Sequence, residues 1–381
     1  MPEKLCCIFN VAPHYREAVY LKMDNDPDIQ CDFYLGDRTD QPLELMDYQK
    51  LKGYRKTLSN HFFQNRGMMW QKGAVSLIFR NYKYYLITGS PACLSNWALL
   101  FLAKISGKKV FAWTHGLKSY SSQKDKWFQQ SFYRLCDKIL LYGEFSRDKM
   151  ITMGFKPEKL IPIYNSLDYD KQKAIRESIT KTDVVSSHFK NDYPTIIYVG
   201  RIQQAKKIDL LIKVYNNLRE KGVLCNLLIV GKSIPGDQSL TEIRNSPFVQ
   251  DIWEYGECYD ETKLAALIYH STLMVCPGFI GLSAIHALTY GLPVLTNDRF
   301  EYQNPEFEAI IPGLTGDFFQ YDNMDDLSDK TAAWLVKSGE NRNEIRRNAY
   351  RVIEDRYNAT SQWKIIKKLL QNKNDLEFKQ V

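Results

Sequence analysis

The chain has 381 residues, of which 44% are hydrophobic and 25% are charged, and its formal net charge is +7. This length favours two domains, and the composition is typical of a soluble globular protein. The mild positive charge suits anionic small molecules or an acidic membrane surface, and it excludes the dense basic stripe of a nucleic-acid-binding protein.

The first half of the chain alternates short β-branched or aromatic runs with longer helical patterns. Several runs are apolar throughout, as in strands that are covered on both faces, and many end in Gly or Pro. They are LCCIFNVAP, CDFYLG, YYLITGSP, KVFAWTHG, KILLYG and LIPIYN. The pattern predicts an α/β domain whose polar loops follow the carboxyl ends of the strands, where such sheets bind ligands.

A charged segment that is poor in strand formers and closed by Pro194 separates this half from the next. Beyond it the alternation resumes in TIIYVG, CNLLIVG, LMVCPG and LPVLTN. The predicted fold class is α/β, with two tandem doubly wound, Rossmann-like domains that face each other across a cleft. The expected bounds are 1–170 for the first domain, 171–193 for a linker, 194–350 for the second domain, and 351–381 for C-terminal helices that are candidates for crossing back to the first domain.

Two loops of the second half have the residue types of an anion site. The strand that ends at Gly200 is followed by Arg201 and Lys206 ahead of a helix, which suits a diphosphate, although a solvated basic loop has the same pattern. A second strand runs into Gly278 and a turn at Gly281-Leu282-Ser283, whose backbone N–H groups stand at a helix start. Two such loops in one domain favour a shared phosphate ligand.

The second half resembles the donor domain of retaining glycosyltransferases of the glycogen-synthase-like (group 1) superfamily, which have the glycosyltransferase B fold. The matching pieces are YVGRIQQAKKIDLLI, LLIVGKS, YGECYDETKLAALIYHSTLMVCPG, GLSAIHALTYGLPVLTND and GLTGDFF, in this order over about residues 195–320. The first half resembles the more variable acceptor domain of the family through APHYR, AWTHG and IPIYNSLD.

The resemblance implies transfer of a sugar from a nucleotide diphosphate sugar, with retained anomeric configuration and without a metal or other cofactor. The catalytic candidates that it implies are His115, Arg201 and Lys206. The donor-binding candidates are Gly200, Gly256, Gly278, Gly281, Leu282, Ser283 and His286. On the acceptor side the candidates are His14, Tyr15 and Arg16, which follow the first strand, and Arg16 suits a phosphate on the acceptor.

Two positions depart from the family pattern, which usually has two glutamates eight residues apart around the phosphate turn. This chain has Gly278 and His286 there. An imidazole can hydrogen-bond a ribose hydroxyl, so His286 is a ribose-contact candidate, with helix packing as the alternative. Glu306 or Glu308 could replace the missing carboxylate, and a capping or surface role is equally compatible with their position.

These features predict a glycosyltransferase that acts on a glycan or a lipid-linked saccharide, in the synthesis of a bacterial surface polysaccharide on the precedent of the family. The alternatives are a nucleotide-sugar epimerase of the same build and a catalytically silent relative that binds a nucleotide sugar or glycan. The basic tail helices are compatible with peripheral contact to the inner membrane face, and equally with ordinary solvated faces. No nucleic-acid partner is expected.

Cysteine usage and the N-terminus indicate the compartment. The eight cysteines are scattered and no two have C-x-x-C spacing, which favours buried free thiols over a zinc site. The N-terminus lacks the pattern of a signal peptide, and no apolar window is long enough to cross a bilayer. A cytoplasmic location is therefore expected, and the Asp-x-Asp sequences at Asp24 and Asp168 are interpreted as structural.

Overall fold

The computed structural model describes residues 3–40, 43–63, 67–117, 123–179 and 182–371. The chain forms two compact units, one of the residues up to Asp168 together with those from Asn358 onward, and one of residues Tyr169–Tyr357. Each unit contains a largely parallel β-sheet with helices on its faces, so the predicted α/β class with two sheet domains is confirmed.

The first unit contains eight strands in the described ranges. They are β1 (Glu3–Phe9), β2 (Ile29–Gly36), β3 (Tyr54–Phe63), β4 (Met68–Lys72), β5 (Tyr84–Thr88), β6 (Lys109–Thr114), β7 (Lys138–Leu141) and β8 (Leu160–Pro162). They form one sheet in the order β4-β3-β2-β1-β5-β6-β7-β8, and only β3 and β4 pair antiparallel. The sequence did not predict this hairpin, because only Leu58 and Asn60 are buried in β3 and its other side chains are polar or partly exposed.

Side chains of β1 alternate between two cores, which explains why this strand is apolar throughout. Leu5, Cys7 and Phe9 face one core, which includes residues of α1 (Glu17–Asp24). Cys6 and Ile8 face the other core. That second core includes residues of α2 (Leu94–Ile105), α3 (Gln123–Leu135) and α4 (Glu144–Thr152).

The second unit contains a six-stranded parallel sheet. Its strands are β9 (Thr195–Val199), β10 (Asn226–Val230), β11 (Ile252–Gly256), β12 (Leu273–Cys276), β13 (Val294–Asn297) and β14 (Gly316–Phe319). Their order is β11-β10-β9-β12-β13-β14, so the direction of winding reverses between β9 and β12. Ligands of doubly wound sheets bind outside the carboxyl ends of the strands at such a reversal.

The first two helices of the second unit overlap the segment 171–193 that the sequence predicted as a linker. The helices of this unit are α5 (Tyr169–Ser178), α6 (Ser186–Phe189), α7 (Ile208–Glu220), α8 (Thr241–Arg244), α9 (Glu261–His270), α10 (Leu282–Thr289), α11 (Met324–Glu340) and α12 (Arg342–Asp355). Arg176 of α5 donates to the Thr289 carbonyl at 3.1 Å and forms an ion pair with Glu354 at 3.1 Å. The linker bounds 171–193 are therefore wrong in this respect, because α5 packs as part of the second unit.

The last helix, α13 (Ala359–Gln371), belongs to the first unit. Trp363 and Ile366 are buried in the core that contains α1, and the Trp363 indole N–H donates to Asp26 at 2.8 Å. Lys367 also donates to Asp26, at 2.9 Å. The apolar face of this helix is thus covered by the protein itself. This apolar face is therefore not free to enter a bilayer, and membrane contact through the basic side chains of the tail stays a prediction.

Every strand candidate of the sequence is a strand in the structure, whereas β3, β4, β11 and β14 were not predicted as strands. All eight cysteines are free thiols, and all except the half-buried Cys258 are buried, as predicted. Among the helices of the described ranges, none has the length and apolarity that a bilayer span requires.

Candidate functional site

The loops that follow β9 and β12 meet at the reversal point of the second sheet. The Gly278 N–H donates to the Lys206 carbonyl at 3.0 Å, and the Phe279 N–H donates to the Ala205 carbonyl at 3.4 Å. The ammonium group of Lys206 in turn donates to the Phe279 carbonyl. The structure thus brings together two loops that the sequence identified separately, with Lys206 held against the second one.

The turn of residues 281–283, which is predicted to bind phosphate and is termed the phosphate turn, lies at the start of α10. Gly281 is the N-cap residue, and the N–H groups of residues 281–283 have no hydrogen-bond acceptor within the described ranges. Side chains on the following segment order the turn, since Gln303 accepts from the Ile280 N–H at 2.7 Å and Asn304 donates to the Ile280 carbonyl at 2.8 Å. Unpaired N–H groups and the positive end of the helix dipole make this turn suitable for an anion.

Arg201 lies on the same loop as Lys206. Its backbone is held by the Tyr198 hydroxyl, which donates to the Arg201 carbonyl at 2.8 Å. The guanidinium is exposed and has no ion pair or hydrogen bond within the described part of the chain. Next to it, the loops that follow β9 and β10 pack closely, because a Cβ atom on Gly231 would lie 1.8 Å from the Gly200 carbonyl oxygen. The side chain of Arg201 is therefore available to a ligand.

The absence of a carboxylate at position 278 has a steric reason. A Cβ atom on Gly278 would lie 2.1 Å from the Ala205 carbonyl oxygen, and 2.5 Å and 2.7 Å from the Cα and carbonyl carbon of Lys206. All three are backbone atoms of the Lys206 loop, so no side chain fits here unless that loop moves. Close contact between the two loops therefore leaves no room for the glutamate of the family pattern.

His286 of α10 is bound to a carboxylate that the sequence did not predict. Its Nε2 lies 2.8 Å from Oε1 of Glu261, the first residue of α9, and the side chains of the pair are 13% and 24% exposed. Glu261 also accepts from the Tyr290 hydroxyl at 2.6 Å and from Gln172 at 3.2 Å. Burial acts to raise the pKa of Glu261, but these three donors, led by His286, lower it overall. His286 is therefore part of an ordered polar cluster.

The remaining donor-side candidates lie as follows. Gly256 ends the outer strand β11 with a φ of 83°, and its carbonyl accepts from the Gly231 N–H at 2.8 Å. Glu306 is buried within the short 3₁₀ helix Pro305–Ala309. Among the described residues, no group of three or more His, Cys, Asp or Glu is arranged to hold a metal ion.

In the first unit, Arg16 and His115 share an aromatic cluster that follows β1, β6 and β7. The Arg16 guanidinium carbon lies 5.3 Å from the Trp113 ring and 5.4 Å from the Tyr142 ring, and the His115 ring is 4.6 Å from Tyr142. Nε of Arg16 is buried without a hydrogen-bond partner in the described ranges. The Tyr15 ring lies 5.7 Å from the same guanidinium. A positive charge held among aromatic rings, with no carboxylate paired to it in these ranges, suits an anionic ligand.

His14 makes its polar contacts with Glu44, outside this cluster. It is exposed and its Nδ1 approaches a carboxylate oxygen of Glu44 at 3.8 Å, while its ring is 5.9 Å from Tyr15. Of the three acceptor-side candidates, Arg16 and Tyr15 therefore belong to the aromatic cluster, whereas His14 interacts with Glu44 at the surface.

Known proteins resemble this chain in sequence and in fold. The family model for glycosyl transferases group 1 matches residues 180–352. An uncharacterised 41.2 kDa protein of the cps region of Klebsiella pneumoniae is 24% identical over 229 residues, which are 57% of this chain and 60% of that protein. The chain thus spans less than two thirds of the length of this curated relative.

Solved structures match over almost the whole chain. The lipopolysaccharide outer core galactosyltransferase WaaB in its apo form has a TM-score of 0.68 at 16% identity, and the match covers 96% of this chain and 99% of that one. HepE of Anabaena in complex with UDP has a TM-score of 0.68 at 15% identity, with the same coverage of 96% and 99%. At these low sequence identities, the structural similarity is evidence for the fold alone. The chain therefore has the glycosyltransferase B fold, and its residues 180–352 match the family model for glycosyl transferases group 1.

Proposed function

We propose that the protein is a retaining glycosyltransferase that moves a sugar from a nucleotide diphosphate sugar to a hydroxyl group of a glycan or lipid-linked saccharide. The observation that carries this proposal is the cradle at the reversal point of the second sheet. There Lys206 is held against the phosphate turn, and the N–H groups of residues 281–283 have no partner within the described ranges. The group 1 family supports sugar transfer, and the UDP bound by HepE supports UDP as the nucleotide.

In this proposal the cradle stabilises the leaving group. The bond between the anomeric carbon and the terminal phosphate oxygen breaks, the acceptor oxygen bonds to that carbon, and the proton of the acceptor hydroxyl passes to the departing phosphate oxygen. The negative charge that develops on the nucleoside diphosphate is then stabilised by Arg201, by Lys206 and by the N–H groups of the turn, and the last two of these are positioned beforehand. Because these groups supply the positive charge, the proposed reaction needs no metal.

The first unit is the proposed acceptor side. The Arg16 guanidinium among Trp113, Tyr142 and Tyr15 suits a phosphate, such as the one that joins a saccharide to its lipid carrier. The relative from the cps region supports a role in surface polysaccharide synthesis.

Peripheral membrane contact is part of the proposal, and the face that supports it lies on α2 rather than on the C-terminal helices. Phe101 and Ile105 are 59% and 83% exposed one helical turn apart, with Lys104 between them. Phe79 is also exposed, at 79%, and the ammonium group of Lys108 donates to the carbonyls of its neighbours Ile78 and Arg80. Exposed apolar side chains among cations suit an anionic lipid surface. Co-sedimentation with phosphatidylglycerol vesicles should fall in a Phe101→Ser/Ile105→Ser variant, and unchanged binding would exclude this face.

The first experiment is thermal denaturation of the purified chain with UDP, GDP, dTDP, ADP or CMP, in EDTA and in magnesium. A ligand at a hundredfold its Kd adds about 2.7 kcal/mol to the free energy of unfolding. Stabilisation by UDP that is equal in EDTA and magnesium is expected. No stabilisation by any nucleotide would contradict the donor site.

Product analysis with a UDP-sugar then separates the three candidate functions. A transferase releases UDP and a glycoside, an epimerase returns an isomerised donor, and a silent relative returns the donor unchanged. A Lys206→Ala variant should lose turnover and UDP affinity. The matched control is Lys213→Ala, since Lys213 is 49% exposed on α7 and makes only surface ion pairs at 3.8–3.9 Å. Near-normal turnover in the Lys206 variant would refute the assignment of the cradle.

A further inference from the structure

An aromatic stack adjoins the phosphate turn in the second unit. The rings of Phe279 and Tyr302 lie 5.7 Å apart at 19°, and those of Phe279 and Tyr321 lie 6.4 Å apart at 2°. Phe279 directly follows Gly278, and its carbonyl accepts from Lys206. All three side chains are half-buried, so the stack combines a packed side with an accessible one. Such a surface next to a diphosphate cradle is suited to the sugar of the donor.

A guanidinium lies against this stack. The Cζ atom of Arg299, just after β13, is 4.0 Å from the Tyr302 ring and 4.9 Å from the Tyr321 ring. Its backbone is fixed, because the Arg299 N–H donates to Asn297 at 3.0 Å, and Asn297 donates to the carbonyls of Pro277 and Gly278. The side chain of Asn297 therefore links the backbone of Arg299 to the loop that carries the phosphate turn.

Among the charged groups around the stack, Arg299 is a cation without a carboxylate partner in the described residues. Lys207 forms an ion pair with Asp322 and lies 4.0 Å from the Tyr321 ring. Asp298, the carboxylate next to Arg299, accepts from the Tyr321 N–H at 2.9 Å. Arg299 itself has no ion pair or side-chain hydrogen bond to any described residue. Since Arg201 and Lys206 already match the two charges of a diphosphate, the charge of Arg299 remains for another anionic group.

We infer that Arg299 selects a donor whose sugar carries a carboxylate, that is, a uronic acid. The planar guanidinium can bind a carboxylate through two parallel N–H donors, while the aromatic stack packs against the sugar ring. A neutral hexose would leave the guanidinium with water alone. This inference rests on the proposed function of the same site, because it assumes that the diphosphate occupies the cradle.

The test compares the affinities of UDP, UDP-glucose, UDP-glucuronate and UDP-galacturonate for the full chain by calorimetry at low salt. At least one UDP-uronate should bind about tenfold or more tightly than UDP-glucose, as charge-assisted hydrogen bonds allow. The preference should shrink as salt screens the pair. In Arg299→Gln the ratio should fall to about one while the affinity for UDP itself stays the same. The control is Arg244→Gln, an exposed arginine of α8 in the same unit, which should keep the wild-type ratio.

Three results would overturn the inference, and they are distinguishable. Equal affinities of wild type for UDP-glucose and for both uronates would show that no carboxylate is recognised. If Arg299→Gln weakened UDP and every UDP-sugar by the same factor, Arg299 would serve the diphosphate instead. If no nucleotide bound at all, the proposed function would fail first and the inference with it.

Discussion

Gly278→Ala is the most direct test of how the donor cradle is built. The added Cβ atom would lie 2.1 Å from the Ala205 carbonyl oxygen and 2.5 Å from the Lys206 Cα atom. Since non-bonded heavy atoms prefer about 3.5–4.0 Å, the loop that carries Lys206 must retreat by about 1 Å or more. Overpacking of this kind costs about 1–3 kcal/mol. For a unit of this size that lowers Tm by about 2–12 °C, at roughly 2–4 °C for each kcal/mol.

The same displacement should reduce turnover more than stability, because an error of about 1 Å in a positioning group can cost about a hundredfold in rate. The matched control is Gly339→Ala on α11, where an added Cβ meets no atom within 4 Å. Removing a helical glycine should stabilise that variant by about 0.5–1 kcal/mol. Differential scanning calorimetry and titration with UDP measure both effects. If Gly278→Ala melted at or above the wild-type temperature and bound UDP normally, the close contact of the two loops would be wrong.

The other predictions concern the Glu261 cluster of the second unit and the packing of Trp363 in the first unit. Because the folded-state pKa of Glu261 is lowered, its contribution to stability is present above the unfolded pKa of about 4.3 and is lost as pH falls through the folded value. Thermal melts at pH 7 and pH 4 should therefore show a smaller acid loss in Glu261→Gln than in wild type, and an equal loss would contradict the cluster. His286→Ala should weaken UDP affinity and also lower the melting temperature, because Glu261 loses a partner, and unchanged UDP affinity would assign His286 to helix packing. Trp363→Ala, which removes a side chain only 6% exposed, should destabilise the first unit by about 3–5 kcal/mol, whereas exposed Lys364→Ala should not, as denaturant unfolding would show.

Much of the second unit was predictable because its signals are local in the sequence. Apolar runs that end in glycine predicted β9, β10, β12 and β13, since strands covered on both faces show no alternation. The loop with Arg201 and Lys206 and the turn before α10 could be recognised from residue type and position alone. Strand β11 and the four-residue strand β14 were missed, because neither has a long apolar run: β11 is partly exposed and β14 begins with Gly-Asp.

What the sequence by itself determined is thus the α/β class and the identity of the residues at the carboxyl ends of the strands, because both depend on periodicity along the chain. Only the tertiary structure decided which of these residues meet. The reversal of strand order at β9 and β12 brings Lys206 against Gly278, and helix packing places Glu261 on His286. The segments after β13 and β14 place Arg299 against the Tyr321 ring. The amphipathic pattern of α13 does not say what covers its apolar face, and only the structure shows that α1 and the core around it do so. These contacts join residues far apart in the chain, so their existence depends on strand order and packing, which no local pattern contains.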